Sequence, residues 1–169
     1  MLRPLLLPTP AYIHAEDIML TDAVLAYLHF IAIFFTVGML TAELVLCRGP
    51  LDLPQTRRLG RIDMAYGMAA LAVLATGTAR LIWGAKGAAF YMHNPVFHTK
   101  FALFVLVGLL SIPPTIRIIK WRKRLVAAPG SSIAADEVKR TARLVHIELA
   151  LLLAIPLFAT LMARGIGIR

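Results

Sequence analysis

The chain has 169 residues, 59% of them hydrophobic and only 16% charged, and its mean hydropathy is +0.76. That balance excludes an ordinary soluble domain of this length and implies an integral membrane protein. The 18 basic residues against 9 acidic ones lie in the gaps between apolar runs, which marks topology rather than a nucleic-acid partner, and the single Cys47 excludes a disulfide framework or a multi-cysteine metal centre.

The opening MLRPLLLPTP carries an apolar stretch too short and too proline-broken for a signal-peptide core, so it is expected to stay in the mature chain. Residues 11–20, AYIHAEDIML, suit a short interfacial helix on the outer surface, with His14 a surface residue. Crossing the hydrocarbon core takes about 20 apolar residues, because every backbone polar group must be satisfied within the segment. Four stretches reach that length, at about 23–46, 64–83, 98–119 and 144–164. Ala65 with Ala69 and Ala72 with Thr76 give the second span a four-residue repeat of small side chains, which permits close helix approach. Pro113 and Pro114 in the third span and Pro156 in the fourth each free a carbonyl one turn earlier, giving kinks or the edge of a cavity.

Loop 47–63 carries Arg48, Arg57, Arg58 and Arg61, and loop 120–143 carries Lys120, Arg122, Lys123, Arg124, Lys139, Arg140 and Arg143, whereas loop 84–97 has only Lys86. The positive-inside rule therefore puts loops 47–63 and 120–143 in the cytoplasm and both termini outside. PGSS at 129–132, followed by Asp136 and Glu137, predicts that the last helix begins on the cytoplasmic side. The expected fold is all-α, a single membrane domain over 1–169 built as a four-helix bundle in the lipid bilayer.

Sorting polar residues by depth gives two clusters. His29 lies about two turns inside the outer end of the first span, within LAYLHFIAIFF; Arg80 lies about a turn inside the second, and His98 and Lys100 open the third. A neutral imidazole is a good axial ligand for haem iron, a bundle core can hold a porphyrin, and Arg or Lys can pair with its propionates. His29 is the candidate iron ligand. The plainer alternatives are a His29 that hydrogen-bonds a neighbouring helix, a His98 that meets headgroups, and cations that snorkel to the surface. His93 reads as a surface residue. About 20 Å away, Glu43, His146 and Glu148, with Arg57, Arg58, Arg61 and Arg117 near the same face, form either structural ion pairs or a proton relay.

AYLHF at 26–30, RRLGRID at 57–63, the run ARLIWGAKGAAFYMHNPVFHTK at 79–100 and GLLSIPPT at 108–115 resemble an uncharacterised family of bacterial four-helix integral membrane proteins. That resemblance implies a multi-pass protein of the bacterial inner membrane. More distantly, the order of a His-bearing first helix, an Arg-rich turn, an H-x-K entrance to the third span and an acidic residue early in the last is similar to HemJ-type protoporphyrinogen oxidases, which bind haem b. By position, His29 matches that family's first-helix histidine, His98 and Lys100 its H-x-K pair, and Glu148 its last-helix acid. The chain departs where FFTVG lacks a tryptophan before the glycine and where an arginine is replaced around Glu43. Haem binding is thus implied more directly than the oxidase activity.

Two functions follow as expectations. In the first, a haem-b membrane redox protein oxidises a porphyrinogen or quinol, with His29 as axial ligand, His98 and Lys100 at the reacting side, and Arg80 and Lys100 pairing with carboxylates. In the second, a cofactor-free transporter or assembly subunit uses the outer cations to bind an anion. Transport in so small a bundle would need a homo-oligomer.

Overall fold

The computed structural model describes residues 10–84 and 87–164; the N-terminal nine residues, Ala85, Lys86 and the last five residues lie outside the described part. Among the described residues five helices follow in order: α1 (Pro10–Leu46), α2 (Leu53–Trp83), the short α3 (Gly87–Met92), α4 (Pro95–Ala127) and α5 (Ala135–Ala163). Four of them are long and apolar enough to cross a membrane. The molecule is an all-α four-helix bundle of membrane type.

The helices run past the apolar spans. α1 starts at Pro10, so residues 11–20 continue the first membrane helix instead of forming a separate interfacial one. No glycine or further proline lies between Pro10 and Val37, and Pro10 stands at the helix start where its missing N–H costs nothing. α2 starts at Leu53, eleven residues before its expected span at 64, behind an Asp52 cap: Asp52 Oδ1 accepts from Gln55 N at 2.8 Å while Asp52 N donates to Gln55 Oε1 at 3.0 Å. Arg57, Arg58 and Arg61 therefore stand on helix turns, all exposed. α4 is capped by Asn94, whose Oδ1 accepts from Val96 N at 2.9 Å with Pro95 in the first turn, and it continues through Pro113 and Pro114 to Ala127. α5 begins beside Asp136 and Glu137, as the charge pattern predicts.

Around the bundle the order is α1, α2, α4, α5, with α1 closing against α5 and α3 seated between α2 and α4. Only 11–17% of each apolar window is buried, so most of these side chains, such as Phe34 at 71% and Leu71 at 66% exposed, meet lipid. Inside the bundle Leu40, Tyr66, Val145 and Leu152 pack together. At the basic end a second core of Leu51, Leu59, Ile118, Trp121, Leu125, Ile133 and Val138 ties the helix extensions to both loops. There Leu51 and Ile133 exchange backbone hydrogen bonds at 3.2 and 2.8 Å, which joins the two basic loops.

Candidate functional site

At the end away from the basic loops, α1, α2 and α4 bring His29, Arg80 and Lys100 together: the charges of both Lys100 and Arg80 act on the His29 ring. His29 is half-buried, and its Nδ1 lies 2.9 Å from Thr76 Oγ1. Thr76 has one hydroxyl proton, and its oxygen lies 2.6 Å from the Ala72 carbonyl, which only accepts. The hydroxyl proton therefore goes to Ala72, and Thr76 Oγ1 accepts from His29 Nδ1–H. In neutral imidazole this leaves the Nε2 lone pair free. Gly77 makes room for the ring, since a Cβ there would come within 3.2 Å of His29 Cε1.

Arg80 Nε is buried without a hydrogen-bond partner. Lys100 is half-buried, with its ammonium 5.6 Å from the Phe97 ring centroid. His98 is exposed, and its Nε2 donates to the Met92 carbonyl at 2.9 Å, closing the α3–α4 turn. It does not join the other three. Three further residues of this end carry no signal in the apolar pattern. Thr76 sets the His29 tautomer, Asn94 is 1% exposed and caps α4, and Tyr91 lies in the fields of Arg80 and Asp22.

Towards the basic end, Glu43 of α1 and Glu148 of α5 are each 1% exposed, and each has one oxygen without a hydrogen-bond partner. Asp63 of α2 joins them, acting on both carboxyls and accepting from Thr115 Oγ1 at 2.7 Å. Tyr66 points its hydroxyl at Glu148 Oε2, 3.5 Å away. His146 and Arg61, expected in this group, are exposed, and Arg117 donates instead to Thr141 at 3.3 Å. The group is thus three acids and a phenol, with no ion pair to any of the three among the described residues. Asp63 was legible as an acid at the edge of an apolar run, at the same depth as Glu43 and Glu148.

An apolar cleft of about 230 Å³ opens among α1, α2, α4 and α5, lined by Thr36, Tyr66, Leu74, Phe104, Gly108 and Leu152 among others. Tyr66 meets Glu148 at one end of this cleft, and Phe104, on its α4 wall, is one turn from Lys100.

The family model of a predicted membrane protein family, DUF2214, matches residues 21–167, which takes in all four spans and both clusters. The chain belongs to DUF2214. No curated protein and no solved structure matches it. In this DUF2214 member no three His, Cys, Asp or Glu side chains among the described residues are placed to hold a bare metal ion. A metal at His29 would have to bring most of its ligands with it, as a porphyrin does.

Proposed function

We propose that this DUF2214 protein is a haem-b-binding membrane redox protein whose axial ligand is His29. The observation that carries the reading is the Thr76 hydroxyl, which holds His29 Nδ1–H and leaves Nε2 free beside two cations. A ligating histidine characteristically donates its other N–H to an oxygen in this way, which fixes ring orientation and raises basicity. Arg80, with its buried unpartnered Nε, and Lys100 would hold the two propionates. His98, spent on the Met92 carbonyl, stands outside the ligand set. When bound, the haem would supply one-electron transfer.

The residues of the chain would do the rest. The apolar cleft lined by Tyr66, Leu74 and Phe104 would receive part of a quinol or porphyrinogen that enters from the bilayer. The similarity in residue order to HemJ-type oxidases supports a porphyrinogen as donor.

The test is the absorption spectrum of detergent-purified protein, oxidised and then dithionite-reduced, with a pyridine haemochrome assay. The parent is expected to carry about one b-type haem per chain. His29→Ala should abolish the Soret band, Thr76→Val should shift it or weaken haem retention, and Lys100→Ala should keep the fold while loosening the haem. A colourless parent after expression with added haem overturns the reading, as does an unchanged spectrum in His29→Ala. A second reading rests on the same unpartnered Arg80: a cofactor-free transporter or assembly subunit that binds an anion between Arg80 and Lys100. It predicts a colourless protein whose anion binding is lost in Lys100→Ala.

A further inference from the structure

At the basic end a cavity of about 310 Å³ opens between the last turns of α4 and the first turns of α5, walled by Arg117, Lys120, Trp121, Arg124, Glu137 and Arg140. Four cations surround one carboxylate. That carboxylate is fully used: Arg124 Nη2 reaches both its oxygens at 3.1 Å, and Trp121 Nε1 donates to one of them at 3.1 Å. Arg124–Glu137 is the one ion pair among the described residues, so Arg117, Lys120 and Arg140 face the cavity with no acid to pair them.

The position of this cavity says what such a cation pocket is for. Trp121 is 4% exposed and anchors the wall, whereas Ile116 and Ile112, one and two turns along the Lys120 row of α4, are 45% and 49% exposed towards the lipid side. Ile147 continues the Arg140 row of α5 in the same way, 48% exposed. A charged cup therefore opens directly onto an apolar face. A free anion would use the cup alone, but a phospholipid uses both surfaces, its phosphate among the cations and its acyl chains along the isoleucines. We infer that this cavity is a binding site for the headgroup of an anionic phospholipid. The inference draws on none of the residues assigned to haem.

The test uses the full-length protein, delipidated in detergent and examined by native mass spectrometry with dioleoyl phosphatidylglycerol or dioleoyl phosphatidylcholine. Phosphatidylglycerol should be retained in preference to phosphatidylcholine. A surface cation contributes about a fivefold change in affinity for an anionic lipid, so the pair Lys120→Ala and Arg140→Ala should weaken retention roughly 30-fold. Both side chains are exposed, so the double variant should melt with the parent. Arg122→Ala, an exposed cation outside the cavity, should bind as the parent does, and Lys120→Arg with Arg140→Lys should restore binding. Equal retention of the two lipids overturns the inference, as does unchanged phosphatidylglycerol binding in the double variant. Displacement of the lipid by millimolar inorganic phosphate also overturns it, assigning the cup to a free anion.

Discussion

Glu43→Gln isolates the energetic cost of the acid cluster. Glu43 is 1% exposed, its Oε1 has no hydrogen-bond partner, and the groups that act on it are the carboxyls of Asp63 and Glu148. A buried oxygen left unpartnered costs about 1–3 kcal/mol. Glutamine keeps the shape, removes the ionisable group and offers an amide donor that either neighbouring carboxyl can accept. The variant should therefore gain about 1–3 kcal/mol. In a chain of this size each kcal/mol moves the melting temperature by about 2–4 °C, so the midpoint should rise roughly 2–12 °C. The assay is a thermal melt in one detergent at fixed pH and lipid content, followed by far-ultraviolet circular dichroism. Glu43→Ala serves as the companion, since it leaves a cavity and should melt below the parent. A Glu43→Gln midpoint below the parent would refute the reasoning, because the carboxylate would then be holding the three helices together through a bound cation or water. A stabilised variant would mean that the protein retains an acid its fold does better without, which places Glu43 in the function.

Two further predictions concern the basic end. Cys47 is 5% exposed, and burial, with the Glu43 carboxyl adding to it, pushes its thiol up to about 12. Because that value lies above the ordinary thiol range, the group stays protonated through pH 7–9. Maleimide should leave the folded protein unlabelled at pH 8 and modify it fully in denaturing detergent, as read by intact mass. Ile133, with no exposed surface, fills the core beneath the joined loops. Ile133→Ala should cost about 2–5 kcal/mol and lower the melting midpoint by roughly 5–20 °C. A change under 2 °C would mean that this core does not hold the loops.

What the sequence determined is what the bilayer demands of any chain. About 20 apolar residues per crossing and basic loops between them placed four spans, and a rise of 1.5 Å per residue placed His29, Arg80 and Lys100 at one depth and Glu43 and Glu148 at another. The helix extensions past the spans, and the joining of residues 11–20 to α1, were hidden because water and lipid both tolerate helix there. What only the tertiary structure decided is which way each polar side chain faces. Residues two apart on a helix differ by about 200° in direction, so they cannot share a face. Hence Lys100 meets His29 while His98 turns to the Met92 carbonyl, Glu148 joins the acids while His146 is exposed, and Asp63 turns inward while Arg61 does not. In a soluble helix the apolar stripe would have revealed those directions. Here the side facing lipid is as apolar as the side facing the core, and the periodicity that encodes direction is lost.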